Sequence, residues 1–249
     1  IGFSQLSVLI QRYFKIKLRD KISTLILLLQ APIIAFMVAL VFGKPEEKTS
    51  AIFIMIIAAI WLGCSNAARE IVGEQSIFKR ERMVNLKIPS YIFSKVIVLS
   101  GLCIIQSLIL VSIVLMLLDL NSNFLQLFFL IFATSVSSLS IGLFISSIVN
   151  TNEASMALIP IILIPQIILA GFVSKFATMS DIVKGISGLV ISRWAFEAAM
   201  ITEYSRKQAA IISELGFDKG NFTIDIIIIL IFNGVFLLLT SNMLKGKCK

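Results

Sequence analysis

Apolar residues gather in six long blocks along this chain, separated by short polar segments. The first two blocks, residues 22–43 and 51–68, contain no Asp, Glu, Lys or Arg. In an α-helix rising 1.5 Å per residue, about 20 such residues cross a hydrocarbon layer about 30 Å thick. The pattern therefore predicts an all-α polytopic membrane protein with six transmembrane helices, near 22–43, 51–68, 96–118, 124–149, 154–173 and 223–244. Residues 1–21 read as an amphipathic helix before the first span, and 22–249 as the membrane domain proper.

Charge sets the expected sidedness. Lys and Arg cluster in 12–21, 69–95 and 245–249, whereas the short loops on the other side hold only Lys44 and Lys48. The inside-positive bias thus places both termini in the cytoplasm, in the plasma (inner) membrane. An odd number of spans, reached by losing the Pro-containing fifth, would leave one terminal basic cluster outside. Residues 174–222 are too polar to span but carry helical patterning over 182–200, so they predict a helical cap on the outer face. Pro160, Pro165 and Gly171 are expected to bend or break the fifth span, which then needs neighbouring protein to satisfy freed carbonyls.

Composition agrees and narrows the chemistry. The chain is 58% hydrophobic and 14% charged, against about 45–50% and about 25% in soluble domains, with a mean hydropathy of +0.99. A net charge of +8 forms no single basic face, so anionic lipid headgroups rather than nucleic acid are the expected neighbours. Cys64, Cys103 and Cys248 have no metal-like spacing, no His is present, and no metal site is expected. The first five spans contain no Asp, Glu, Lys or Arg, and Asp225 lies near the outer start of the sixth. That disfavours proton- or ion-coupled carriers and intramembrane hydrolases, which are built from such groups. The neutral polar residues, among them Gln30, Asn66, Gln106, the hydroxyls of 134–140 and Asn233, read as glue between helices. Any solute path would be neutral and apolar, suited to hydrophobic or amphipathic cargo.

Between the second and third spans the chain runs from Arg69 to Lys95, with mixed charge and with Ile71, Ile77, Phe78 and Met83 leaving a polar face. Amphipathicity alone makes this a solvated interfacial helix before a proline-marked turn. Its detail resembles the membrane domain of White/ABCG-type (type-2 ABC) half-transporters. There a glutamate-containing helix, here with Glu74, precedes Phe-x-Arg-Glu, here Phe78, Arg80 and Glu81, and then Tyr-x-x-x-Lys, here Tyr91 and Lys95. Arg193-Trp194-Ala195-Phe196-Glu197-Ala198 and Ala170-Gly171-Phe172-Val173 match further, as does the basic amphipathic start.

The resemblance implies an ATP-driven exporter of lipid-like or amphipathic molecules, in which this chain is the membrane part and does no covalent chemistry. It makes 1–21 the connecting helix and Arg69 to Arg82 the coupling helix. Glu74, Phe78, Arg80, Glu81 and, in a second cytoplasmic turn, Glu153 would then contact the ATPase. It places Trp61 and Leu62 on a cavity-lining span, Gln166 beside the path, and Phe172 and Val173 at a hydrophobic plug. Arg193 and Glu197 would be a structural charge pair under the cap. The implied partners are an ABC nucleotide-binding domain carrying ATP and Mg, and a second membrane domain in a homodimer. No Gly-x-x-x-x-Gly-Lys-[Ser/Thr] is present, so the motor is expected upstream of Ile1 or on another polypeptide. The external cysteines of some relatives are missing. Competing readings are a polysaccharide or glycolipid ABC exporter with a separate ATPase, and a membrane scaffold that transports nothing.

Overall fold

The computed structural model describes residues 2–43, 48–118, 120, 122–203, 215–217 and 222–247. Among these the secondary structure is helical, apart from one isolated bridge between Ser122 and Glu203. Helix α1 spans Phe3–Arg19 and α2 Lys21–Val41, with Asp20 alone between them. The Asp20 carboxylate caps α2 by accepting from the Ser23 amide at 3.2 Å, a common way to satisfy a helix's first N–H groups. Then come α3 (Lys48–Ala67), a 3-10 turn (Val72–Glu74), α4 (Gln75–Met83), α5 (Ile88–Leu118) and α6 (Phe124–Ile148). Then follow α7 (Asn152–Ile168), a second 3-10 turn (Phe176–Thr178), α8 (Asp181–Ser187), α9 (Ile191–Thr202) and α10 (Phe222–Gly246).

Helices α2, α3, α5, α6 and α10 are long and apolar enough to cross a membrane. The fifth expected span is α7, a shorter apolar helix of 17 residues, at the lower limit for crossing a bilayer. It runs through Pro160 and Pro165 and stops at Ile168, five residues before the expected end. There the chain turns through Gly171, whose φ of +88° favours glycine and whose missing Cβ makes room for the Phe217 ring. One face of α7 packs inward through Ser155, Ile159, Leu163 and Gln166, while Ile161, Ile164 and Ile168 are exposed. At the other end of the chain order, α5 starts eight residues earlier than expected, at Ile88. Pro89 sits in its first turn, where a missing N–H leaves no bond unmade, and Asn85 at φ 70° makes the preceding corner. Tyr91 and Lys95 are therefore helical.

The centre of the molecule is the α3–α6 pair. A Cβ on Gly142 would lie 2.5 Å from the Cys64 carbonyl oxygen, and one on Gly63 would fall on the Ser135 carbonyl, so backbones meet directly. The hydroxyls between 134 and 140 divide their work. Ser135 donates to Ala59 O at 3.3 Å, Ser137 to Ile229 O at 2.8 Å and Ser140 to the Asn233 side chain, all across helices. Thr134 and Ser138 bond back to their own helix at 2.8 Å. Helix α10 lies at the periphery, burying little beyond Asp225, Ile229, Thr240 and Leu244. Helices α8 and α9 form the start of the expected cap, and residues 204–214 and 218–221 of that segment lie outside the described residues.

Candidate functional site

One end of the bundle, the face bearing α1 and α4, carries a cluster of charge built on three pairs spaced four apart: Tyr13 and Lys17, Glu70 and Glu74, Tyr91 and Lys95. Four residues make about one helical turn, so Tyr13 and Lys17 on α1, and Tyr91 and Lys95 on α5, each present both side chains to one side. Glu70 and Glu74 sit on the turn and 3-10 corner between α3 and α4. Lys95, 1% exposed, sets its ammonium 2.7 Å from Glu74 Oε2 and 3.9 Å from Glu70 Oε2. Lys17 Nζ reaches Glu70 Oε1 at 2.5 Å, the Tyr13 hydroxyl donates to Glu70 Oε2, and the Tyr91 hydroxyl donates to Glu74 Oε2 at 3.4 Å. The Tyr13 ring covers Lys95 Nζ at 4.2 Å and the Tyr91 ring at 5.2 Å, so cation–π attraction adds to the ion pairs. Two cations meet two carboxylates, which is how buried charge becomes tolerable. Burial foremost, with Glu70 beside it, pushes the Tyr13 phenol well above its usual value.

A second lash joins α1 to α4. Arg12 of α1 grips Glu81 of α4 with both terminal nitrogens, Nη1 to Oε1 and Nη2 to Oε2 at 3.3 Å, and that bond raises the Arg12 pKa. Phe78 is buried with its ring 4.9 Å from that of Tyr91. Between α1 and α4 runs a cavity of about 470 Å³ lined by Gln5, Val8, Leu9, Arg12, Arg80, Glu81, Val84 and Leu86. Behind α4, the corner from α3 is held by α6 and α7. Ser146 Oγ accepts from the amides of Ile71 and Val72, both at 3.0 Å, and the Ser155 hydroxyl donates to Ala68 O. The end of α10 reaches this same face, where Lys247 Nζ donates to Val149 O at 3.0 Å and Asn150 Oδ1 at 3.3 Å. Burial there, with Lys79 nearby, lowers the Lys247 pKa.

Of the expected contact residues, Glu74, Phe78 and Glu81 thus turn inward to α5 and α1. Arg80 and Glu153 are exposed, with Ile77, Met83 and Val84 exposed beside Arg80. The sequence reading did not single out Glu70, Tyr13, Lys17, Arg12, Ser146 or Ser155. The four-residue spacing of Tyr13 and Lys17, repeated in Tyr91 and Lys95, was the available signal for those two; no local signal marked the two serines.

At the opposite end, Phe172 stacks on Phe53 with centroids 4.5 Å apart and meets Phe196 edge-on at 5.7 Å. Val173 beside it is exposed. Gln166 is buried and serves α9: its Oε1 accepts from the Ser192 amide at 2.9 Å and its carbonyl from the Ser192 hydroxyl at 2.5 Å. Trp61 is 39% exposed while its neighbour Leu62 is 2% exposed, so the two lie on different sides of α3. Arg193 Nη2 lies 3.6 Å from Glu197 Oε2, and its guanidinium is 4.4 Å from the Phe176 ring and 4.2 Å from that of Trp194. Asp225 is buried alongside, with Oδ2 unpaired. No group of three or more metal-ligating side chains occurs among the described residues.

An all-α, multi-pass membrane protein with an ionic brace on one face and an aromatic cluster at the other is the class these features define. Residues 4–204 match the ABC-2 type transporter family, and the chain belongs to that family as an integral membrane component. It is similar to the ABC transporter ATP-binding/permease protein Rv1747 of Mycobacterium tuberculosis, being 28% identical over 166 residues. The alignment covers 64% of this chain and 19% of that relative, so the chain spans about a fifth of the relative's length.

Proposed function

We propose that this chain is the membrane half of an ATP-driven exporter of lipid-like or amphipathic molecules, of the White/ABCG kind. In this reading both termini are cytoplasmic, in the plasma (inner) membrane, and α4 is the coupling helix. An ATP-binding domain, on the same longer polypeptide or a separate subunit, binds ATP and Mg and presses on the exposed residues Ile77, Arg80, Met83, Val84 and Glu153. The Mycobacterium tuberculosis relative, named as an ATP-binding/permease protein, supports such a partner.

The ionic brace carries the reading. A thrust on α4 passes through Glu81 to Arg12 on α1 and through Glu74 to Lys95 on α5. The helices then move as rigid bodies rather than α4 bending alone, which is how small shifts become domain rocking. In a homodimer, two such halves would open an apolar exit beside Phe172 and Val173, and Trp61, exposed on α3, offers cargo no charge. Arg193 and Glu197 brace the cap through this motion.

ATP hydrolysis by the longest native form, purified with its copurifying proteins, tests this. Glu81→Arg is expected to lower hydrolysis by about fivefold, the lower end of coupling between sites, and Arg12→Glu with Glu81→Arg to restore it. No associated ATPase, or hydrolysis indifferent to both changes, overturns the reading.

A further inference from the structure

Charge does not balance beneath the cap. Arg193 and Glu197 on α9 and Asp225 in the first turn of α10 bring two carboxylates to one guanidinium, and Glu197 and Arg193 are the charged groups that act on Asp225. All three are shielded from water: Asp225 is 2% exposed, and the Arg193 and Glu197 side chains 14% and 6%. Arg193 is nevertheless seated by no short bond. Its Nη2 stands 3.6 Å from Glu197 Oε2, beyond the about 2.7–2.9 Å of a charge-assisted hydrogen bond. Its Nε meets no acceptor, and Asp225 Oδ2 meets no donor. Buried polar atoms left this way are rare enough to need a cause, and ionisable groups at membrane depth most of all.

What surrounds Arg193 lets it turn. The guanidinium lies 4.4 Å from the Phe176 ring and 4.2 Å from that of Trp194. Ring faces attract a cation without fixing its rotation in their plane, so the slot holds the group while leaving it able to face either acid. The two acids differ in what they join. Glu197 is four residues along the same helix, so that pair stays inside α9, whereas a bond to Asp225 ties α9 to α10. The polar ties of α10 to α6, Ser137 Oγ to Ile229 O at 2.8 Å and Ser140 to the Asn233 side chain, lie one and two turns further in. Phe196, next to Glu197, meets Phe172 and Phe53 edge-on at 5.7 and 5.6 Å, so a pull on α9 reaches the aromatic cluster.

We infer that Asp225 is a second seat for the Arg193 guanidinium, which makes Arg193 a two-position latch. On Glu197 it closes within α9; on Asp225 it draws the outer end of α10 onto α9, beside Phe53, Phe172 and Phe196. Each position serves one carboxylate and strands the other, so two buried like charges compete for one partner and the two states stand close in energy, as a two-state element requires. The inference rests on the outer end of the fold and not on transport, so its test contains no ATPase step.

The full chain, grown with ring-fluorinated tryptophan and placed in lipid nanodiscs, carries two fluorine reporters, Trp61 and Trp194, assigned with Trp61→Phe. The Trp194 ring is held by its Nε1 donating to Gly188 O at 3.0 Å, so its fluorine NMR resonance reads where the guanidinium beside it stands. Asp225→Asn and Glu197→Gln each remove one seat and are expected to shift that resonance in opposite senses, with the unsubstituted protein between them. In an Arg193→Gln background the same two substitutions should leave one common resonance. An unmoved Trp61 line throughout reports an intact bundle. Asp225→Glu and Glu197→Asp keep every charge and move reach toward Asp225, so both should shift the resonance in the Glu197→Gln sense, and they decide the matter where a neutral variant disturbs the Trp61 line. No shift with Asp225→Asn, shifts of one sense for both neutral variants, a difference between them that outlasts the loss of Arg193, or charge-keeping variants that move the resonance apart overturns the latch.

Discussion

Lys95 lies among Glu70, Glu74, Tyr13 and Tyr91, and removing its charge would strand carboxylates that have little access to water. Lys95→Met is therefore expected to cost about 3 kcal/mol or more of stability, seen as a lowered Tm in detergent. Lys17→Met should cost less, since the Tyr13 hydroxyl still serves Glu70. Tyr13 also sets an alkaline limit. Its folded pKa lies above the unfolded value of about 10, so the protonated form is favoured in the fold. That contribution is complete below the unfolded value and is lost as pH rises through the folded one. Stability measured across this window should fall more steeply for wild type than for Tyr13→Phe. Glu74, Phe78, Tyr91 and Lys95 stood out in the sequence through the family resemblance, with Glu74 and Phe78 expected to meet an ATPase, and their contacts with one another were not read there. Nor was the pairing of Arg12 with Glu81, 69 positions apart, since no periodicity within either helix tells which partner an exposed-looking charge will meet.

Among elements, α3 and α6 have the least room. Gly142→Ala sets a methyl against a backbone carbonyl that has no rotamer to change, and is expected to destabilise by about 1–3 kcal/mol. Gly101→Ala in α5 meets nothing within 4 Å and should be neutral or stabilising by up to about 1 kcal/mol. Thermal unfolding of the two variants side by side reads the difference. Long uncharged blocks made the spans readable, because hydrocarbon length is a simple constraint. Their ends were less so: the α5 start depends on Pro89 fitting a first turn, and the α7 end on Gly171 making way for Phe217, a residue beyond the cap helices. Gln166, polar in an apolar block, was expected beside a path, and the structure shows which partner it takes: Ser192 of α9. Sequence shows that a polar group needs a partner and does not show which side of the helix supplies it.

For the whole molecule, the proposed sidedness is open to direct test. In a Cys248→Ser background, cysteines at Lys15→Cys and Arg80→Cys are expected to react with impermeant maleimide only from the cytoplasmic side of sealed vesicles, and Thr178→Cys only from the other. Cys64 and Cys103 are buried and should stay silent. Labelling of positions 15 and 178 from one side would remove the proposed orientation. The corner held by Ser146 bears on how such a molecule moves. One hydroxyl oxygen receives two amides there, so α4 cannot swing from α6 without orphaning both together, at about 1–3 kcal/mol for each buried group. A joint of that kind has a threshold. It stays shut under small thermal pushes and yields in one step to a large one, so the corner works as a catch.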